Sequence, residues 1–142
     1  MTSTTQPPDL TCAECGGTDV QCVSGDQIYP RRPDLYSRWF WRCACGAYVG
    51  CHRHTQEPLG TPAGPATRRA REEAHAFFDV LWRRKMARDG VSRHEAREAG
   101  YGWLAAQMGL DPADTHIARF TQEQCAQVVE LCRPYVRSIA RR

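Results

Sequence analysis

Two tight cysteine pairs carry the clearest chemistry in this chain. Cys12-Ala13-Glu14-Cys15 runs into Gly16-Gly17, and Cys43-Ala44-Cys45 runs into Gly46. Thiolates are the soft ligands zinc prefers, and four of them close a structural site around one Zn2+. Each pair must turn its backbone sharply so that both sulfurs face the same ion, and the turn needs a residue that tolerates positive φ. Glycine directly after each pair meets that need. The spacing therefore predicts two knuckles holding one structural zinc through Cys12, Cys15, Cys43 and Cys45. The second knuckle is C-x-C, shorter than the commoner C-x2-C.

The remaining candidates are more ambiguous. Cys51-His52-Arg53-His54 packs three possible ligands into four residues. Cys51 or His52 would then be an alternate zinc ligand; otherwise Cys51 packs beneath the sheet and the histidines face water. Cys22, Cys125 and Cys132 read as small core hydrophobes. His75 and Asp79 stand four apart on a predicted helix and share a face. With His116 they would make an acid–base or metal site, the basis of a small-enzyme reading; alone they make a local hydrogen bond. No phosphate-binding glycine loop, G-x-S-x-G elbow or H-E-x-x-H accompanies them.

A binding surface is the other possibility. Arg68, Arg69 and Arg71 lie at the start of a predicted helix, where the dipole disfavours cations. With Arg31, Arg32 and the aromatics Tyr29, Tyr36, Trp39 and Trp41 they would offer phosphate contacts and base stacking. The competing reading is a solvated arginine face beside a ribbon core that needs its own aromatics. Leu104 to Leu110 followed by Thr115-His116-Ile117 resembles a helix-turn-helix, but Ile117 falls two residues late and Asp111-Pro112 intervenes.

The elements that position these groups divide at a change of pattern. Residues 1–11 read as a flexible tail. Thr18 to Val23 alternates as a strand with Val20 and Cys22 on one face. Ser24-Gly25-Asp26 reads as a turn and Pro30 to Asp34 as a loop. Tyr36 to Arg42 is rich in strand-forming aromatics, and Ala47 to Cys51 is a third strand. Residues 12–54 thus predict a zinc ribbon, too small to fold without its metal. Three prolines and two glycines mark 55–66 as a linker. Beyond it, 67–142 predict a helical unit of about three helices packed on the ribbon, giving an α+β chain.

The first helix spans about Thr67 to Arg88, with Ala70, Ala74, Phe77, Phe78, Leu81 and Met86 as its apolar stripe. Asp89-Gly90 stops it. Ser92 to Glu95 is a capping box for a second helix that buries Ala96, Ala99, Trp103, Leu104 and Met108 and ends at Gly109. Thr121 to Gln124 is another box, opening a third helix with Cys125, Val128, Val129 and Cys132 inside. Pro134 should kink or end it, leaving a basic stretch to Arg142.

Composition sets outer bounds. Aromatic and apolar residues suffice for a modest core, and no stretch approaches the ~20 apolar residues a membrane span needs. Met1 to Leu10 lacks the charged and apolar regions of a signal peptide. Paired thiols without export signals predict a reducing bacterial cytoplasm. The net charge of +3 is uneven: residues 1–66 carry five arginines against six acids, while 67–142 carry thirteen arginines and one lysine against ten acids.

A long ordered set of residues also resembles a known family. It includes Cys45-Gly46-Ala47-Tyr48-Val49-Gly50-Cys51-His52, Thr55, Pro58-Leu59-Gly60 and Ala63. Further on come Ala74-His75, Phe78-Asp79, Leu81-Trp82, Trp103-Leu104-Ala105, His116-Ile117, Phe120, Cys125 and Leu131-Cys132. From Cys12 to Cys132 the chain is similar to a small phage and prophage family of zinc-finger-containing domains of unknown function. It departs at the C-x-C knuckle and at Ala118, where glycine is more usual. The resemblance implies a phage or prophage origin and zinc binding, and leaves the activity open. The expectation is a zinc-stabilised binding module for nucleic acid or a host protein, in host takeover or against a defence system. A protein–protein adaptor or inhibitor without a nucleic-acid role and the small enzyme above are the alternatives.

Overall fold

A computed structural model describes residues 10–141. Most of the tail expected over 1–11 lies outside them. Leu10, its last apolar residue, is buried in the ribbon core. The chain divides into two compact units, Met1–Thr67 and Arg68–Arg142.

The first unit is a three-stranded antiparallel sheet in the order β1-β2-β3, with β1 at Val20–Ser24, β2 at Trp39–Cys43 and β3 at Tyr48–Gly50. Its register pairs Val20 with Cys43, Cys22 with Trp41, and Trp41 with Val49. Side chains of directly paired residues share a face. One face therefore gathers Val20, Cys22, Trp41, Cys43 and Val49, joined by Leu10, Cys12, Ala47 and Cys51 in one apolar cluster. The opposite face holds Phe40, Tyr48 and Tyr29 in mutual edge-to-face contact, with the Tyr29 and Tyr48 hydroxyls 2.8 Å apart. The expected turn after β1 is a four-residue helix, α1 (Gly25–Ile28).

Residues 55–66 are not a free connector. Tyr48 exchanges backbone hydrogen bonds with Ala63, Leu59 N–H reaches the Gly50 carbonyl at 2.9 Å, and the Trp41 indole donates to the Gln56 carbonyl at 2.6 Å. Gly60, Pro62 and Ala63 are buried. The stretch is thus a strap against the β3 edge, closing an edge that would otherwise expose unpaired amides.

In the second unit, α2 (Pro65–Asp89, beginning in the last residues of the first), α3 (Arg93–Met108) and α4 (Gln122–Ala140) enclose Phe78, Trp82, Leu104, Ile117, Phe120 and Val128. Ser92 caps α3 by accepting from Glu95 N–H, Gly109 ends it at φ 68°, and Thr121 with Gln124 forms a reciprocal capping box on α4. Of the expected α2 stripe, Ala74 and Phe78 are fully buried and Ala70, Phe77, Leu81 and Met86 pack against the core, while Thr67, Arg71 and Trp82 are buried beside them. Ala99 is exposed rather than buried. Pro134 does not end α4. It removes a hydrogen bond to the Glu130 carbonyl, but both residues are exposed, so water can take that place. Leu131, Cys132 and Val136 pack into the core on either side of it. No second helix follows Gly109 at once; two short 3-10 turns, Pro112–Asp114 and Ile117–Arg119, come between, and Ile117 is core. The helix-turn-helix expectation is therefore not met.

Candidate metal centre

The knuckles are shaped by local hydrogen bonds. In the first, Cys12 N–H donates to the Gly17 carbonyl at 2.8 Å and Gly16 N–H to the Cys12 carbonyl at 3.0 Å. Gly16 has φ 72°, the left-handed conformation its position requires. This reversal aims Glu14 N–H at Cys12 Sγ and Gly17 N–H at Cys15 Sγ, each at 3.3 Å. In the second, Cys43 N–H donates to Ala47, Gly46 N–H to Cys43, and Gly46 sits at φ 100°. Ala44 N–H is pinned to the Asp19 carbonyl at 2.9 Å, holding the short C-x-C turn against the start of β1.

The sulfurs of Cys12, Cys15, Cys43 and Cys45 all lie within 4.8 Å of one another. Across the knuckles Cys12 meets Cys45 at 3.6 Å and Cys15 meets Cys43 at 3.5 Å. A disulfide would need about 2.05 Å. Four sulfurs around a tetrahedral zinc, with Zn–S bonds of about 2.3 Å, stand about 3.8 Å apart. The spacing therefore fits the ion and not a bridge. Cys12 and Cys43 are buried while Cys15 and Cys45 are exposed, so one side of the site faces solvent.

The electrostatics of the donor set agree. The Gly17 N–H, followed by the neighbouring sulfurs, pulls the Cys15 thiol below its ordinary value. Burial pushes Cys12 up, against the Cys15 and Glu14 amides. The backbone N–H of Cys45 favours the Cys43 thiolate, yet burial and the other three sulfurs push it up to about 12. Four thiols this close cannot all ionise unaided. A dication removes that repulsion, and these four cysteines fit one structural Zn2+.

Among the described residues this is the one group of three or more His, Cys, Asp or Glu side chains spaced to hold a metal. The alternates Cys51 and His52 are not in it. Cys51 is buried beside Trp41, and burial pushes its thiol up to about 11, with Cys22 adding to the shift. His52 is exposed and takes part in the strap through its backbone. Cys125 and Cys132 are buried in the helical core, each pushed up to about 11 by burial.

The other predicted residues are dispersed. His75 Nδ1 lies 3.5 Å from Asp79, whose carboxylate also accepts the Trp82 indole N–H at 2.8 Å. His116 instead rests on the Tyr101 ring, with centroids 5.0 Å apart. The three do not converge on one ligand-sized cluster. Arg71, expected on a binding surface, is only 8% exposed and donates its Nε–H to the Phe120 carbonyl at 2.9 Å. It is a tie within the helical unit. Arg68 is half-buried and Arg69 exposed. On the ribbon, Arg31 is exposed and Arg32 is paired with Asp34 at 2.7 Å. Tyr36 and Trp39 are 40% and 37% exposed.

Sequence reasoning missed Glu14, whose carboxylate accepts from Gly64 N–H at 3.0 Å and from the Thr67 hydroxyl. Its place between Cys12 and Cys15 was the available signal, since an acid inside a knuckle cannot be spent on the metal once four sulfurs fill it.

Fold and site together define a zinc-stabilised module: a ribbon closed by four cysteines, followed by a helical unit. The chain belongs to the zinc-finger-containing domain family, whose model matches residues 9–135. No curated protein and no solved structure matches it. No helix among the described residues is long and apolar enough to cross a membrane.

Proposed function

We propose that the protein is a phage-encoded module that binds single-stranded nucleic acid in the host cytoplasm through the loop before β2 of its ribbon. The observation that carries this reading is the pair of exposed aromatics Tyr36 and Trp39, three residues apart on a segment that also bears Arg31 and Arg38. Water-exposed rings are costly to leave uncovered, and stacking on bases covers them at about 1–3 kcal/mol per base. The loop is braced for this. The Tyr36 hydroxyl donates to the Pro30 carbonyl, Arg38 N–H to Leu35 at 3.0 Å, and Trp39 opens a hydrogen-bonded strand. Arg31 and Arg38 supply cations for phosphates, while Arg32 is held by Asp34. The zinc fixes the other end of β2 through Cys43, so metal and loop are joined by one short strand. The similarity to phage and prophage domains supports the phage origin, and with it action on host or phage nucleic acid during takeover or counter-defence.

The test is fluorescence anisotropy of the zinc-loaded protein with a labelled single-stranded oligonucleotide across a salt series. Affinity should fall steeply with salt, and Trp39→Ala and Arg31→Ala should each weaken it without loss of zinc. Absence of binding at low salt, or binding indifferent to both substitutions, refutes the reading. Capture of a host protein by nuclease-treated material, abolished by Trp39→Ala, would assign the same surface to a protein partner instead.

A further inference from the structure

The helical unit holds a cleft lined entirely by its own residues. It lies between the first half of α3 and the 3-10 turns before α4, measures about 840 Å³, and its lining includes Arg93, Arg97, Tyr101, Gly102, Pro112 and His116. That volume falls within the roughly 300–1,000 Å³ common for small-ligand sites. Three rings lead into it from the core. Phe78, fully buried, lies 4.6 Å by centroid from Tyr101, and Tyr101 lies 5.0 Å from His116. His116 is exposed and lines the cleft, its ring tilted 47° to that of Tyr101.

Two cations, Arg93 and Arg97, line the cleft with His116. Arg97 lies near the Tyr101 hydroxyl and lines the same cleft. Arg93 lies over the Trp82 ring, 5.4 Å from guanidinium carbon to ring centroid. Such a contact leaves its N–H donors free for an anion. Burial, with Arg119 and Arg97 nearby, lowers the proton affinity of His116, keeping the ring neutral and suited to stacking near neutral pH. The lining carboxylate, Glu98, lies 3.3 Å from His94 Nε2 one turn back on α3, and both side chains are exposed. Asp111 at the base of the connection accepts Ala113 N–H at 2.9 Å.

We propose that this cleft binds a nucleotide, its base extending the Phe78–Tyr101–His116 column and its phosphate held between Arg93 and Arg97. The chemistry is a planar ring joined to a phosphate, and it is met equally by a free mononucleotide or by one unit of a strand. The proposal is independent of the ribbon reading, because every residue it uses lies in the second unit.

Titration calorimetry on the full zinc-loaded chain tests it with adenosine 5′-monophosphate, adenosine, inorganic phosphate and a triadenylate. The monophosphate should bind, with adenosine and inorganic phosphate each weaker by about tenfold or more, since each lacks half of the recognised group. Arg93→Gln, at an exposed position, should weaken the monophosphate by about tenfold with zinc content and circular dichroism unchanged. His116→Ala should erase the preference for monophosphate over inorganic phosphate. Triadenylate binding more tightly than the monophosphate, and equally sensitive to Arg93→Gln, supports a strand as the source; no gain over the monophosphate supports a free nucleotide. The proposal is overturned if millimolar monophosphate does not bind, if inorganic phosphate binds as well, or if binding survives Arg93→Gln but is lost in Trp39→Ala.

Discussion

Glu14 and Thr67 are 53 positions apart in sequence, yet the Thr67 hydroxyl donates to the Glu14 carboxylate from a side chain buried at the start of α2. Gly64 N–H donates to the same carboxylate at 3.0 Å, and a β-carbon on Gly64 would come within 3.2 Å of it. The first zinc knuckle is therefore tied to the end of the strap by a charged acceptor seated between two metal ligands. Zinc and strap close the ribbon from its two ends.

Thr67→Val keeps the shape of the buried side chain and removes its donor. It should destabilise the zinc-loaded protein by about 1.5–3 kcal/mol, the range for a hydrogen bond to a charged group. Zinc stoichiometry should remain one per chain, because no thiolate is touched. Urea unfolding with parallel metal analysis checks both parts; loss of zinc would mean that the knuckle depends on the tie.

Metal removal should act on one unit. The ribbon core is small and its four thiols repel one another when ionised, so a strong chelator should abolish amide protection across β1 to β3. The second unit has its own apolar core, and α3 and α4 should keep their protection and helical signal. Hydrogen exchange resolved by segment distinguishes the two. Cys15→Ser should lower zinc content, whereas Cys51→Ser should keep one zinc per chain, since Cys51 packs against Trp41 away from the four sulfurs.

Arg69 and Arg71 make a matched pair for separating binding from stability. Arg69→Ala alters an exposed side chain and should change stability by no more than about 0.5 kcal/mol. Arg71→Ala strips a donor from the Phe120 carbonyl and leaves space beside a packed stem, and should cost about 1–3 kcal/mol. Chemical denaturation of both variants measures the contrast, and equal midpoints would contradict the assignment of Arg71 as an internal tie.

These cases also mark what was readable in advance. The zinc site was legible because its information is local: cysteine spacing and the glycine after each pair determine the turn wherever the chain goes next. The helix caps at Ser92 and Thr121 were legible for the same reason. The strap was not. Proline and glycine in 55–66 correctly indicate irregular backbone, but its pairing with Tyr48 and Gly50 is a non-local choice that composition does not encode. Arg71 was readable and misread. It falls three before Ala74 and seven before Phe78, on the buried stripe, yet its neighbours Arg68 and Arg69 made it look like part of a charged surface.

Gly100 shows how closely the helices approach. A β-carbon there would lie 2.9 Å from the Phe78 ring, which is itself 1% exposed and unable to retreat. Helix propensity alone would favour alanine by about 1 kcal/mol. Overpacking of a filled core costs about 1–3 kcal/mol and should dominate, so Gly100→Ala is expected to destabilise. Gly102, with nothing within 4 Å of its would-be β-carbon, is the control: Gly102→Ala should stabilise by up to about 1 kcal/mol. Thermal unfolding of the two single variants should thus shift in opposite directions.

The acid side of the pH profile should carry a signature of His116. Burial of its inner face on Tyr101, followed by Arg119 and Arg97, lowers its proton affinity below the ordinary value of 6.5. The folded chain therefore favours the neutral ring, while the unfolded chain takes up a proton first as pH falls. The stabilising contribution is fully present above the unfolded value and is lost as pH drops through the lower, folded one. Nuclear magnetic resonance titration should find the His116 ring protons shifting at a pH below the ordinary value of 6.5. Removing both nearby cations in Arg97→Ala/Arg119→Ala should move the His116 midpoint back upward, and a midpoint unmoved by that change would show that burial alone sets it.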